Sequence, residues 1–591
     1  MMRSSLLAVG LLVAGTSVAL AQDESPAPLS SKPAQTFAGN GQSDRTIEIK
    51  FRHGTDVRLR QGAFTSALGE IRGVNEYILT VGGELSRLFQ QPEAWLDAWR
   101  QSGEARSGKT LHDLNLFYRL ELEQAGPIGE ICDALNRFEI VEIAYPSAGI
   151  SDPTLVRLGP PPSAGALIAP DFESQQGYRQ AAPLGVDADY GQRFPGGRGV
   201  GITIVDVETG WTDDHEDISH KALGNFVGLT PAPYPWDHGT AVLGELVGED
   251  NGTGVVGIVS DSDVLLSSHL GSSANVPTAI ANAAAAANPG DVVVLEVQCF
   301  AGPPAPHPCE YSDSIFATVQ TATANGIHVF AASGNGNNDL DSASYGGKFD
   351  KNVRDSGSVM VGASDGSSLN KASFSNYGSR LDAHGWGFNV VTSGYGDLWS
   401  EGFPTEPREY TAGFSGTSSA TPIVTGAGIQ LAAIHRQIFG SDIDPFTLRS
   451  LLTSTGTPQG SGGQIGPRPD VQSALAQLNV PRITVGGNPT PGGFVQVDSD
   501  GAANDPYCLL LAYALAPVPV PVAPFGTLFL NAPFFCIRLG TLDGTGHATD
   551  VANLPNNPNL IGKVGYFQEL QTFTSAPGVG GLSNWASVTI Q

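Results

Sequence analysis

The chain has 591 residues, with 31 Lys and Arg against 58 Asp and Glu, giving a formal net charge of −27 at pH 7. That length exceeds what a single hydrophobic core supports and predicts two to four domains. A hydrophobic share of 41% with 74 Gly and 41 Pro describes a loop-rich globular protein, and so acidic a surface excludes nucleic acid as the expected partner.

Residues 1–21 (MMRSSLLAVGLLVAGTSVALA) combine a positive Arg3, an apolar run over 5–18 and an Ala-Leu-Ala end, the pattern of a secretory signal cleaved after Ala21. Export makes disulfides expected, and spacing pairs Cys299 with Cys309 and Cys508 with Cys536, leaving Cys132 alone. From RTIEIKFR (45–52) to PIGEICDALNRFEIVEIAYP (127–146) strand and helix patterns alternate as in a small α+β domain. The Pro/Gly-rich stretch 151–170 reads as an exposed linker open to proteolysis.

Beyond about residue 185 the pattern changes. GVGITIVDV (199–207), SDVLLSSHL (262–270), DVVVLEV (291–297), IHVFAAS (327–333) and SVMVGAS (358–364) read as strands buried on both faces. AIANAAAAAN (279–288) and SIFATVQTATANG (314–326) read as intervening helices, so an α/β domain on a parallel sheet is expected. GGRGVG (196–201) precedes a strand instead of following one, which makes it a turn and not a dinucleotide loop. Past Pro481 glycine-rich strand patterns predict a separate β-sandwich-like domain over 482–591. Its apolar run 508–530 is interrupted by Pro517, Pro519, Pro521 and Pro524, so no membrane span is expected.

Four polar residues stand beside small ones near expected strand ends or helix starts. Asp206 closes GITIVD, His238 lies in WDHGTAVLGELVG, Asn335 follows IHVFAASG, and Ser418 sits in FSGTSSATPIVTGAG. Thr421-Pro422 is expected to open a helix, and on that stretch alone the favoured reading of Ser418 is an N-cap. Each of the others alone reads as a cap or turn residue. Together they supply an acid, a histidine, an amide and a serine, the parts of a nucleophilic hydrolase.

GTSSATP, DHGTAVLGELVG, IVDVETG and AASGN, in that family's order Asp, His, Asn, Ser, resemble the subtilisin-like serine proteases (subtilases, peptidase family S8). The similarity continues through GTGVVGI (252–258) and KASFSNYGSRLDAHGWG (371–387) and covers about residues 175–475. It implies an inhibitory propeptide with linker over 22–165, cleaved off together with Cys132, and a catalytic domain over 166–481. The implied activity is a secreted or periplasmic, monomeric endopeptidase acting on protein or peptide substrates through an acyl-enzyme. By the same resemblance Ser418 is the nucleophile, His238 its base, Asp206 the residue orienting His238, and Asn335 an oxyanion donor with the Ser418 N–H. No cofactor is implied for the chemistry; a structural calcium near GEDNGTGVVG (248–257) is, with Asp217 and Asn251 as side-chain ligands. The sequence departs from the pattern in two places. Val207-Glu208-Thr209 stand between Asp206 and Gly210, and Glu296 and Gln298 replace small residues of the substrate wall. The rival readings are an inactive protease scaffold used for binding and an esterase for small acyl groups.

Overall fold

The computed structural model describes residues 29–591 apart from 38, 40, 68–69, 153–167, 232–236, 271–274, 303, 401–407 and 577. The expected signal segment and most of the expected linker fall outside these residues.

Four antiparallel strands form the first sheet: β1 (Thr46–Phe51), β2 (Glu84–Arg87), β3 (Phe117–Glu121) and β4 (Val141–Pro146), in the order β2-β3-β1-β4. Helix α1 (Glu93–Ser107) and helix α2 (Ile128–Asn136) accompany them. On α2, Ile128, Ile131, Cys132 and Leu135 recur at the spacing of one helical face, and all four are buried against this sheet. Cys132 is a buried free thiol, consistent with its spacing from the others. Helix α1 turns its apolar face the other way: Leu96 and Trp99 share a core with Ile315 and Phe316 of the next layer. Beyond β4 the chain forms a short strand, β5 (Gly149–Ser151).

The central layer is a six-stranded parallel sheet. Its strands are β6 (Thr203–Glu208), β7 (Asp263–Ser268), β8 (Val292–Leu295), β10 (His328–Ala332), β11 (Val359–Ser364) and β12 (Ala383–Trp386), in the order β12-β11-β10-β8-β6-β7. The short strand β9 (Gln298–Phe300) leaves the carboxyl end of β8 and pairs antiparallel with β5, Gln298 opposite Ser151 and Phe300 opposite Gly149. Strands β8, β10 and β11 are buried at every residue, as their unbroken apolar runs predict for a sheet covered on both faces. Helix α3 (Asp237–Val247), α4 (Val276–Ala286), α5 (Asp313–Ala324) and α6 (Thr417–Phe439) supply the cover. Burying each Ile, Leu or Val on these faces contributes about 1.5–3 kcal/mol before chain entropy is set against it.

Helix α6 begins at Thr417, so Pro422 lies inside it and does not open it, contrary to the sequence expectation. The cost is confined to one bond, because the missing N–H is the one that reaches back to the Ser418 carbonyl. The cap position belongs to Gly416, with φ of 110°, and no side chain caps the helix. Ser418 is therefore the second helical residue, and the N-cap reading of it is set aside.

The carboxyl-terminal region is antiparallel throughout. Strands β13 (Arg482–Asn488), β14 (Phe494–Asp500) and β17 (His547–Asn553) form one sheet; β15 (Pro506–Ala512), β16 (Phe535–Thr541) and β18 (Val564–Thr572) belong to another. Ile483, Val495 and Val497 of the first meet Tyr507, Leu509 and Phe567 of the second, which is how a sandwich buries alternate residues. Both expected disulfides, Cys299–Cys309 and Cys508–Cys536, are formed. Among the described residues no helix is long and apolar enough to cross a membrane.

Candidate active site

The parallel sheet brings chain-distant residues together at the carboxyl ends of its central strands. Strand β6 delivers two carboxylates, Asp206 and Glu208, which share a side because strand side chains alternate. His238 is the second residue of α3. Gly239 lets α3 approach: a Cβ there would meet the Gly210 carbonyl oxygen at 2.5 Å.

The acid on His238 is Glu208, not Asp206. His238 Nδ1 lies 2.6 Å from Glu208 Oε1, and Glu208 is fully buried. Asp206 Oδ2 accepts instead from the indole N–H of Trp211 at 2.8 Å. The physical reason for the correction is register: two residues further along the strand, the longer glutamate side chain reaches the imidazole from the strand's last position. The signal was present, since Glu208-Thr209-Gly210 is itself an acid, a small residue and a glycine. Taking Asp206 as the acid makes Val207-Glu208-Thr209 a departure from the family's turn, whereas taking Glu208 removes the departure.

Burial pushes Asp206 up to about 7 and Glu208 well above the usual carboxylate range, with Asp152 and Asp206 adding to the rise at Glu208. Burial also holds His238 below its ordinary value, Asp152 and Asp206 opposing. His238 Nε2 is buried and makes no hydrogen bond among the described residues. The second ring nitrogen is thus available as a base while the first is fixed.

Asn335 is held by its oxygen. Its Oδ1 accepts from the Thr417 N–H at 3.0 Å and the Thr417 hydroxyl at 3.1 Å, while its own N–H donates to Gln298 Oε1 at 2.9 Å. The same Thr417 hydroxyl accepts from Gly334 N–H at 3.1 Å. This leaves the Asn335 Nδ2 amide buried with no acceptor among the described residues. Ser418, one residue beyond Thr417, is fully buried at the α6 N-terminus, where the helix dipole favours negative charge. Thr417 was not singled out by sequence reasoning, yet it couples Asn335 to the helix that carries Ser418.

Glu296, just past β8, faces the Ser418 hydroxyl. Burial and the carboxylates of Glu208, Asp206 and Asp152 push it well above its usual range, the serine offsetting part of the rise. Glu245, on α3, is raised in the same way by burial and by Glu296. Both shifts favour the neutral forms of Glu296 and Glu245, which lessens the negative charge at the floor of the site.

The two expected calcium ligands each carry hydrogen bonds in this structure. Asn251 Oδ1 accepts from Thr253 N–H and hydroxyl within its own turn, and Asp217 Oδ2 accepts from Val255 N–H at 2.7 Å. Asp217 Oδ1 is buried with no hydrogen-bond partner among the described residues. Asp152, Glu208 and His238 do cluster, with ligand atoms within 4.8 Å of one another. The 2.6 Å contact between Glu208 and His238 is a direct hydrogen bond and leaves no space for an ion between them.

The Subtilase family model matches residues 197–470. The chain is 30% identical over 338 residues to an alkaline protease of Alkalihalobacillus alcalophilus, covering 56% of this chain and 79% of that one. It is 30% identical over 270 residues to subtilisin Savinase of Lederbergia lenta, covering 45% and 88%. The solved structure of fervidolysin from Fervidobacterium pennivorans aligns over 92% of this chain and 88% of that one, at 13% identity and a TM-score of 0.49.

Proposed function

The chain belongs to the subtilase family of serine endopeptidases, and from that premise we propose that it cuts peptide bonds with Ser418, His238 and Glu208 as its triad. The observation that carries the assignment is the 2.6 Å bond from His238 to Glu208, with the second imidazole nitrogen left free. In the proposed cycle His238 Nε2 takes the Ser418 proton as the oxygen attacks the substrate carbonyl carbon. Glu208 holds the imidazole tautomer and stabilises the imidazolium. Asn335 Nδ2 and the Ser418 N–H receive the oxyanion; the imidazolium then protonates the leaving amine, and the acyl-enzyme is released by water.

Residues 22–165 are read as the propeptide with its linker. Strand β5 lies antiparallel on β9, in line with how an extended peptide adds to a sheet edge, and it leads directly toward His238 and Glu208. A chain segment seated there excludes substrate until it is cut. Export is proposed from the Ala-Leu-Ala signal pattern together with two disulfides. An amino terminus beginning at Gln22 in the unprocessed, exported Ser418→Ala chain is the expected result of sequencing it.

A fluorophosphonate probe tests the reading directly. Adduct mapped to Ser418 in the processed enzyme, with casein cleaved, is expected; an unlabelled Ser418 in folded, processed protein would overturn it. Asn335→Ala should lower kcat by about 10²–10³ with KM little changed, a magnitude carried over from a subtilisin. The pH profile has a definite sign as well. Only the neutral imidazole accepts the serine proton, so kcat/KM falls as pH drops through the His238 value. Because burial lowers that value, the midpoint of the acid limb is expected below the ordinary 6.5.

A further inference from the structure

Strand β5 ends at Ser151, and the next residue, Asp152, places its side chain among the groups of the active site. Asp152 Oδ1 accepts from the Thr209 hydroxyl at 2.7 Å. Thr209 Oγ1 in turn lies 3.3 Å from His269 Nε2, which is 4.0 Å from the Asp152 carboxylate. On the other side the Asp152 carboxyl lies beside Glu208, with an oxygen of each within 4.8 Å of the other. Gln298 Nε2 donates to Ser151 Oγ at 3.1 Å and to the Asp152 carbonyl at 3.4 Å, fixing the backbone that presents the side chain.

A substrate strand that adds to β9 as β5 does puts one of its own side chains in the same place. We propose that Thr209, His269 and Glu208 form a subsite selecting aspartate or asparagine at that substrate position. The inference rests on the peptidase reading above. Its basis is donor and acceptor matching. With its proton on Nε2 the His269 ring donates to Thr209 Oγ1, which turns the threonine hydroxyl outward as a donor, and Glu208 presents an acceptor opposite it. A short carboxamide satisfies both at once. A short carboxyl accepts from the hydroxyl as Asp152 does here, and meets Glu208 without repulsion when one proton is shared between the two. Alanine or leucine leaves both groups unpaired, and lysine offers the hydroxyl no acceptor.

The groups facing this position are Asp206 and Glu208 from β6, His238 from α3, His269 beyond β7 and Glu296 beyond β8. All five are acids or weakly basic rings, and an ionised aspartate arriving without a proton is disfavoured. Aspartate substrates take up a proton on binding and asparagine substrates do not. Raising the pH therefore weakens the first and spares the second.

The test uses quenched-fluorescent peptides copying residues 147–158 with position 152 varied, cut by the processed enzyme. Asparagine, and aspartate at pH 6, should exceed alanine, leucine and lysine by about tenfold in kcat/KM. By pH 9 the aspartate advantage should be gone and the asparagine advantage retained. In His269→Leu the asparagine-to-leucine ratio should fall to within about twofold, a ratio that a general loss of activity does not move. Equal rates across the set, or no peptide cut while casein is cut, overturns the proposal. An aspartate advantage undiminished at pH 9 overturns the shared proton. Failure to cut casein or to take up the fluorophosphonate overturns the peptidase reading itself.

Discussion

Ser418→Ala is expected to lower kcat by about 10⁶-fold, a magnitude carried over from a subtilisin, and to leave the full-length chain uncut. The effect is this large because the hydroxyl forms the covalent bond, and alanine at the same helix position offers no other nucleophile. The fold should survive the change. Ser418 is fully buried at the start of α6, but the cap is Gly416, and the apolar packing of the helix lies further along at Ile423, Val424 and Ala427. Two measurements separate chemistry from folding: kcat on a peptide substrate, and the apparent mass of the exported chain alongside its melting temperature. An unprocessed, cooperatively melting chain supports the assignment. Normal processing of the variant would mean that another residue, or another protease, cuts the linker region.

Glu208→Ala should cost about 10⁴-fold in kcat, whereas Asp206→Asn should cost less than about tenfold. The contrast follows from which carboxylate touches the imidazole. Removing Glu208 leaves His238 Nδ1 without its partner, so the ring loses its fixed tautomer and the imidazolium loses its counter-charge. Asp206 holds Trp211, and an amide in its place can accept the same indole proton. Glu208→Asp is the informative middle case. It keeps the charge but withdraws it by one methylene, and misplacement on the scale of 1 Å should cost about 10²-fold. If Asp206→Asn proves the more damaging change, the acid has been assigned to the wrong residue.

Much of this protein is legible before any coordinates are known. The apolar runs ITIV, VVVL and HVFAA could be buried on both faces only in a covered parallel sheet, and they are strands β6, β8 and β10. His238, Asn335 and Ser418 stand out because each sits among small residues at a strand end or helix start, where such side chains have no packing duty. The cysteine pairs followed from spacing, since a ten-residue and a 28-residue separation close without long-range knowledge of the fold.

What sequence could not decide was which of two acids, two residues apart on one strand, reaches the histidine. Both point to the same side, and the choice depends on where α3 crosses the end of β6, a distance between elements 30 positions apart in the chain. The grip of Thr417 on Asn335 and the descent of Asp152 onto Thr209 and His269 are likewise contacts of sequence-distant residues. Local propensity and periodicity set the elements and mark the reactive residue types. Only the packing of helices on the sheet fixes ångström-scale distances between those elements, and that is the scale on which hydrogen bonds, and hence catalytic roles, are assigned.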